Sequence, residues 1–238
     1  MKLAGQVALI TGGGRGIGRA IALAFAAEGA AVALAARSSR ELDAVAREVT
    51  AAGGQALAVP TDVRQEPAVA ALVARTVSQL RRIDVLVNAA GVAAFGPVAD
   101  SKQEDWDLTM AVNLRGAYLC ARAVLPAMMA QHRGTIISIG SMVTSRTLPG
   151  SAAYTASKYA VLGFSRVLAE EMRAHGVRVG VLSAGAVDTP LWDAIPSPPD
   201  RARMLKPEQV AEAALLMAGL GPNATLEELT MLPAGGVL

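Results

Sequence analysis

The sequence predicts an α/β protein with a doubly wound parallel sheet of about seven strands and helices on both faces. Short runs rich in β-branched residues alternate with longer alanine-rich segments along the whole chain. The short runs are apolar at successive positions, as in strands that are buried on both faces. No linker or low-complexity segment interrupts this alternation, so we expect one domain over residues 1–238 with right-handed crossovers.

The predicted strands are the short apolar runs bounded by turn residues. The fourth run, 83–91, should pass directly from a strand into a turn. In chain order we expect strands at 6–11, 30–36, 55–63, 83–91, 134–141, 177–185 and within 224–236.

The predicted helices are the longer segments. Ser39 is the expected N-cap of the second helix, Gly53 and Gly54 end it, and Pro67 fits the first turn of the third. The proline-rich segment 189–205 is expected to form a short flap. In chain order we expect helices at 16–29, 39–54, 66–80, most of 100–133, 151–176 and 206–221.

Composition excludes several classes of function. A net charge of +2 is too small to indicate a nucleic-acid or membrane partner. The single cysteine, Cys120, makes no internal disulfide, and no cluster has metal-ligand spacing, so we expect no metal. His132 and His175 fall near predicted helix ends and are interpreted as C-terminal helix residues. No signal sequence or membrane span is expected, which favours a cytoplasmic protein.

A glycine-rich turn joins the first strand to the first helix. Gly12, Gly16 and Gly18 lie in the pattern T-G-x-x-x-G-x-G. Missing side chains let backbone N–H groups approach a pyrophosphate at the positive end of the helix. A turn without a ligand is the alternative, but the strand–turn–helix context favours a Rossmann dinucleotide site.

The end of the second strand indicates which dinucleotide is preferred. Enzymes that use NAD place an acid there for the ribose 2′-hydroxyl, whereas this chain has Ala35-Ala36-Arg37. Arg37 can pair with a 2′-phosphate, and Arg15 in the glycine turn adds a second cation. We therefore expect NADP(H) to be preferred over NAD(H). The alternative is that Arg37 is a solvated loop residue.

Tyr154 and Lys158 form a possible acid/base pair. They are four residues apart in a predicted helix and therefore share one face. A nearby ammonium favours the phenolate and would lower the pKa of Tyr154. Ser141, at the end of the fifth predicted strand, could place a hydroxyl against a substrate carbonyl.

The chain resembles a classical short-chain dehydrogenase/reductase over essentially its whole length. The matching segments are TGGGRGIG at 11–18, TDV at 61–63, NAAG at 88–91, MAVNLRG around Asn113, Ser141, and YTASK at 154–158. The resemblance implies hydride transfer between a nicotinamide and a carbonyl or secondary alcohol. It also implies a homo-oligomer, a tetramer or dimer, assembled through the long helices.

The resemblance assigns four catalytic residues. Tyr154 would donate the proton, and Lys158 would lower the pKa of Tyr154 and hold the nicotinamide ribose. Ser141 would polarise the carbonyl, and Asn113 would hold a water that relays protons to Lys158. Alternatively, Ser141 is only a strand-end cap and Asn113 a structural polar group.

The resemblance also assigns the cofactor site. Asp62 and Val63 would flank the adenine, Asn88 would stabilise the central strands, and Thr189 would contact the carboxamide. The complete expected set is Gly12, Gly14, Arg15, Gly16, Ile17, Gly18, Arg37, Asp62, Val63, Asn88, Ala89, Gly91, Tyr154, Lys158, Gly185, Val187 and Thr189.

Two departures from the family pattern affect the prediction of substrate. Ala184 stands where proline is usual before Gly185, which suggests a looser turn, and the flap is short, which suggests an open pocket. Pocket-lining residues are expected at 92–95, 142–148 and 191–195. Many such chains are 3-oxoacyl-[acyl-carrier-protein] reductases, but the tail ATLEELTMLPAGGVL lacks the usual ending of that group. A general carbonyl reductase, that reductase, and a dinucleotide-binding regulatory protein without turnover remain open.

Overall fold

The computed structural model describes residues 1–195 and 198–236 and contains a parallel sheet of seven strands in the order β3-β2-β1-β4-β5-β6-β7. This arrangement confirms the predicted doubly wound sheet. The strands are β1 (Val7–Thr11), β2 (Ala31–Ala36), β3 (Ala56–Pro60), β4 (Val85–Asn88), β5 (Gly134–Ile139), β6 (Val177–Ala184) and β7 (Glu228–Met231).

Seven α-helices accompany the strands in the described part of the chain. They are α1 (Gly16–Ala27), α2 (Ser39–Ala51), α3 (Glu66–Leu80), α4 (Gln103–Met110), α5 (Gly116–Ala130), α6 (Ala152–Arg173) and α7 (Pro207–Ala218). One detail of the prediction was wrong: Ser38, not Ser39, is the N-cap of α2, and its Oγ accepts a hydrogen bond from Glu41 N. Both are serines, so the sequence alone does not separate them.

The sheet separates two hydrophobic clusters. One contains residues of α1, α2 and α7, and the other contains residues of α3, α5 and α6. Neighbouring residues of β1 point to opposite sides, since Ile10 belongs to the first cluster and Leu9 to the second. The central strands are therefore buried on both faces, as their continuous apolar sequences predict.

The predicted long helix at 100–133 is interrupted in its middle. A π-helical turn, Ala111–Arg115, separates α4 from α5 and contains Asn113. π-turns widen the helical hydrogen-bond pattern and occur often at functional sites. Sequence periodicity predicted the helix but not this local change.

The strand order reverses between β1 and β4, because the chain adds β2 and β3 on one side of β1 and β4 to β7 on the other. At such a point the connections diverge to opposite faces and leave a crevice at the carboxyl ends of the strands. The glycine turn after β1 and the segment after β4 lie at this crevice. Within the residues that the structure describes, no helix combines the length and the apolar character that crossing a membrane requires.

Candidate active site

A cavity of about 610 Å³ lies at the carboxyl edge of the sheet. This volume is within the range of cofactor and small-molecule sites. Of the predicted catalytic and cofactor-binding residues, only Asn88 and Asn113 are missing from its lining. The predicted residues that line it are Gly12, Gly14, Arg15, Gly16, Ile17, Gly18, Arg37, Asp62, Val63, Ala89, Gly91, Ser141, Tyr154, Lys158, Gly185, Val187 and Thr189.

The glycine turn has no room for side chains. Gly12 has φ of +68°, and a Cβ on it would lie 2.8 Å from Ala89 O. A Cβ on Gly18 would lie 2.3 Å from Gly12 O, so helix α1 can approach the turn only at glycine. Thr189 also packs here, since its Cγ2 would be 3.3 Å from a Cβ on Gly16.

The N-terminus of α1 opens into this cavity without a capping side chain. The N-cap residue, Arg15, makes no side-chain cap hydrogen bond, and the first turn holds no acidic residue. The first backbone N–H groups of the helix are thus available to an anion. The residues present therefore fit the pyrophosphate of a dinucleotide.

Charged groups gather beyond the glycine turn. Arg37 is exposed at the end of β2 and lines the cavity. Glu41, in the first turn of α2, lines the same end, and its carboxylate lies 3.9 Å from the Arg15 guanidinium. The sequence analysis found no acid at the end of β2. The fold nevertheless places an acid at this end of the cavity, namely Glu41 from the following helix.

Asp62 and Val63 lie where the adenine is expected to bind. The Asp62 carboxylate accepts hydrogen bonds from Arg64 Nε at 2.9 Å and 3.0 Å. These bonds with Arg64 are the main cause of a lowered pKa of Asp62. Val63 is buried, and its Cγ2 would lie 2.7 Å from a Cβ on Gly116. The carboxylate is therefore fixed in place beside an apolar wall.

The end of β4 is tied to β1 by a residue that the sequence analysis did not single out. Thr11 Oγ1 accepts hydrogen bonds from the N–H groups of Ala89 and Ala90, each at 3.2 Å. The amide of Asn88 is buried, and neither polar atom has a hydrogen-bond partner in the described part of the protein. Thr11, at the start of the TGGG segment, thus joins β1 to the turn after β4, while Asn88 takes part in the sheet through its backbone, opposite Thr11 and Ser138.

Ser141, Tyr154 and Lys158 come together at the far end of the cavity. Ser141 and Tyr154 both line the cavity, and Ser141 Oγ accepts a hydrogen bond from Val143 N at 3.4 Å. Lys158 Nζ donates to Ile139 O at 2.7 Å and lies 5.6 Å from the Tyr154 ring centroid. The strand end and the first two turns of α6 thereby place a hydroxyl, a phenol and an ammonium side by side.

Burial dominates the ionisation of this group. It lowers the pKa of Lys158 to about 8. It also raises the pKa of Tyr154, and the neighbouring Ser141 side chain partly opposes this shift. The direction for Tyr154 is opposite to the lowering predicted from Lys158. Part of the Tyr154 side chain still faces the cavity, so the protonated phenol is accessible to a ligand.

Asn113 lies behind the cavity and holds a loop. Its Oδ1 accepts from Val92 N at 2.9 Å, and its Nδ2 donates to Val92 O at 3.0 Å. Nδ2 also donates to Ser157 Oγ at 3.0 Å. Asn113 therefore ties the segment after β4 to α6 beside Lys158.

The segment after β6 forms the opposite wall. Gly185 donates its N–H to Met231 O at 2.8 Å, and a Cβ on it would lie 2.8 Å from Pro233 Cδ. Glycine is thus required for packing against the tail. Ala184 is buried at the end of β6.

The rest of the lining is mostly apolar. The predicted pocket residues Val92, Phe95, Met142, Val143, Leu148, Leu191, Trp192 and Ile195 line the cavity. Arg146 and Asp193, the charged residues of the predicted pocket segments, do not line it. Pro149 and Pro199, which the sequence analysis did not name, also contribute.

A doubly wound sheet with a glycine-rich turn at the mouth of this cavity defines a class, the dinucleotide-binding proteins. Comparison of the sequence with known proteins narrows the class. Residues 6–200 match the family model described as short chain dehydrogenase. The chain belongs to the short-chain dehydrogenase family, whose members are oxidoreductases.

Two relatives illustrate the similarity in sequence. The chain is 39% identical to a 3-oxoacyl-[acyl-carrier-protein] reductase of Synechocystis sp., over 99% of this chain and 98% of the relative. It is 34% identical to a protein of the same name from Thermotoga maritima, over 92% of each.

Two solved structures illustrate the similarity in fold. A metagenomic short-chain oxidoreductase in complex with NADP has a TM-score of 0.87 and 38% identity, covering 98% of this chain and 99% of that one. An alcohol dehydrogenase from the archaeon Thermococcus sibiricus, complexed with 5-hydroxy-NADP, has a TM-score of 0.89 and 31% identity. It covers 96% of this chain and 97% of that one.

Proposed function

We propose that the protein is an NADPH-dependent carbonyl reductase, which also catalyses the reverse oxidation of a secondary alcohol. The observation that carries this proposal is that Tyr154 lines the same cavity as Ser141, Lys158 and the glycine turn, with the pKa of its phenol raised by burial. A raised pKa keeps the phenol protonated at neutral pH, which is the form needed to donate a proton.

Some of these residues bind the cofactor and the substrate, and others transfer the proton. Bound NADPH supplies the hydride from its nicotinamide. Ser141 donates a hydrogen bond to the substrate carbonyl oxygen and orients it, and Tyr154 delivers the proton to that oxygen. Lys158 binds the nicotinamide ribose, and its ammonium stabilises the phenolate left on Tyr154. Asn113 fixes Val92 and the wall of the pocket, and the second lone pair of its Oδ1 accepts from a water that leads to Lys158.

Arg37 and Arg15 are proposed to select NADPH. Their guanidinium groups lie at the end of the cavity where the adenosine ribose binds, and an extra phosphate there gains charge-assisted hydrogen bonds. The names of the two similar structures, one a complex with NADP and the other with 5-hydroxy-NADP, support this preference. Glu41 opposes it, because its carboxylate lies next to Arg15.

The second candidate is 3-oxoacyl-[acyl-carrier-protein] reductase. The names of the relatives at 39% and 34% identity favour it. The tail of this chain argues against it, and so does the mostly apolar pocket, because Arg146, the loop residue that could hold a phosphopantetheine, does not line it. A protein that binds the cofactor without turnover is the third candidate, and the intact serine, tyrosine and lysine set argues against that one.

We also propose that 189–205 is a substrate flap on a single domain covering 1–238. Residues 196, 197, 237 and 238 lie outside the described part of the chain. The base of the flap is closed by a parallel bridge between Val187 and Leu205 and by the pairing of Asp188 with Arg201 and Lys206.

A homo-oligomer in the cytoplasm is the proposed working form. Exposed apolar side chains on α5 and α6 support assembly of copies, with Tyr118 40%, Tyr159 52% and Val167 60% exposed. Burial raises the pKa of Cys120 to about 12, which suits an unreactive thiol in a reducing compartment. Light scattering of the purified protein tests the oligomeric state.

The experiment that tests the proposed function is cofactor consumption across a small panel. NADPH and NADH are compared with a diketone, a β-keto ester, a free keto acid and an acetoacetyl thioester. We expect NADPH-dependent turnover of the first two. Turnover of the thioester well above the others would establish the second candidate, and no consumption with intact NADPH binding would establish the third.

A further inference from the structure

Aromatic residues converge at the substrate end of the cavity. The chain has only three Phe, three Tyr and two Trp residues, yet one of each kind lies here. The Phe95 ring centroid is 6.4 Å from that of Trp192, with the ring planes 18° apart. The same Phe95 centroid is 6.1 Å from that of Tyr154, at 37°. These separations are within the range of interacting aromatic pairs.

This aromatic group does not belong to either hydrophobic cluster of the core. Phe95 and Trp192 are only half-buried, and both line the cavity. Trp192 is held in place because its Nε1 donates to Val187 O at 2.9 Å. A fixed aromatic surface that faces a cavity beside the proton donor can be covered by a flat apolar ligand.

Charge is distributed unevenly along the cavity. Of the described lining residues, the charged ones are Arg15, Arg37, Glu41, Asp62 and Lys158. The first four lie at the nucleotide end, and Lys158 lies beneath Tyr154. A carboxylate or phosphate on the substrate would therefore lose its water near Phe95 and Trp192 without a charged partner.

We propose that the preferred substrate is an uncharged ketone with an aryl group attached to the carbonyl carbon. This inference rests on the proposed function and adds the substrate class. The aryl ring lies against Phe95 and Trp192 while the carbonyl oxygen meets Ser141 and Tyr154. NADPH provides the hydride to the carbonyl carbon, Tyr154 provides the proton to the oxygen, and the products are an aryl carbinol and NADP⁺.

Matched substrates test this class. Phenyl methyl ketone and cyclohexyl methyl ketone have the same carbon skeleton, but only the first is flat and aromatic. We expect kcat/KM to be about tenfold higher for the phenyl ketone, since it gains interactions with two aromatic rings. Phe95→Leu and Trp192→Leu should each bring the ratio of the two values close to one. Trp106→Leu is the control, because Trp106 is exposed on α4 and absent from the lining, and it should keep the wild-type ratio.

A binding measurement provides a readout that does not need turnover. In a Trp106→Phe protein, Trp192 is the single tryptophan, and its emission reports on the aromatic surface. With NADPH present, 1-phenylethanol cannot be oxidised, and it should change this emission saturably at lower concentration than 1-cyclohexylethanol.

The outcomes test the aryl-ketone substrate class separately from the proposed reductase function. Equal kcat/KM for both ketones, or a ratio unaffected by Phe95→Leu and Trp192→Leu, would overturn the aryl class and leave the reductase intact. Failure to reduce any carbonyl would overturn the proposed function. The alcohol titration then decides the ligand class by itself, and indistinguishable binding of the two alcohols would overturn it.

Discussion

Replacing Lys158 by methionine should stabilise the protein while abolishing its activity. Lys158 is 6% exposed, and its ammonium has no carboxylate within ion-pairing distance among the described residues. Its Nζ donates a hydrogen bond to Ile139 O at 2.7 Å. Methionine has a similar length without the charge, so it can occupy the same space at no desolvation cost.

The size of the effect follows from the pKa. Burial lowers the pKa of Lys158 from 10.5 to about 8. At about 1.4 kcal/mol for each pKa unit, burying the charged form at neutral pH costs about 3 kcal/mol. Leaving Ile139 O without a donor offsets about 1 kcal/mol of this. The variant should therefore gain about 2 kcal/mol, which raises Tm by about 4–8 °C for a domain of this size.

The pH dependence of this gain has a definite sign. Between about pH 8 and pH 10.5 the unfolded chain keeps the Lys158 proton and the folded protein loses it. Stability of the wild type therefore rises with pH in that window, and the difference from Lys158→Met should shrink.

Thermal unfolding followed by circular dichroism at pH 7 and pH 9.5 measures this difference. Lys102→Met, at an exposed lysine before α4, is the control and should show no gain. A Lys158→Met protein less stable than the wild type at pH 7, or a difference that does not change with pH, would refute the reasoning.

Three further predictions concern cofactor choice, the loop after β4 and pH. Arg37→Glu should reverse the cofactor preference, because it places a carboxylate beside the ribose. Glu41→Gln should strengthen NADPH binding a few-fold, because it removes a negative charge next to Arg15. Titration of cofactor fluorescence measures both affinities, and unchanged values would contradict the proposed phosphate site. Asn113→Leu should lower the free energy of unfolding by about 3 kcal/mol in urea, because Val92 N and O lose their partner, whereas an unchanged midpoint would contradict this role. Because burial raises the pKa of Tyr154, the rate of ketone reduction should stay level through neutral pH and fall only in the alkaline range. The rate of alcohol oxidation should rise with pH. A maximum rate of reduction at alkaline pH would contradict this.

The sequence was sufficient to predict the structure wherever a single local pattern determines the conformation. Continuous apolar runs predicted the seven strands and the doubly wound sheet, because strands buried on both faces need apolar residues at every position. The glycine turn was predictable for a similar reason, since Gly12 and Gly18 have no space for a Cβ.

Contacts between distant segments were harder to predict. Glu41 reaches the cofactor end only because α2 begins beside the glycine turn, where a Cβ on Gly14 would lie 2.9 Å from Glu41 Cβ. Asn113, in the π-turn, bonds to Val92 and Ser157, which are far away in sequence. Phe95 lies in a loop and Trp192 in a short 3-10 helix, Pro190–Ala194, and segments this short or irregular carry no periodic signal in the sequence.

The pKa of Tyr154 shows why proximity alone was a poor guide. The spacing of Tyr154 and Lys158 placed the two on one helix face, and the structure has the ammonium 5.6 Å from the ring centroid. The prediction omitted desolvation, which raises the pKa of the phenol and lowers that of the amine. The sequence does not show how deeply each group is buried.

The measurement that tests the central claim most directly is the comparison of the wild type with Tyr154→Phe. Cofactor binding is followed by NADPH fluorescence and turnover by NADPH oxidation with a reducible ketone. The account predicts that the variant binds NADPH as the wild type does and loses turnover by at least about a hundredfold, because the ring remains and only the proton donor is removed. Turnover close to that of the wild type would contradict the role of Tyr154 as the proton donor.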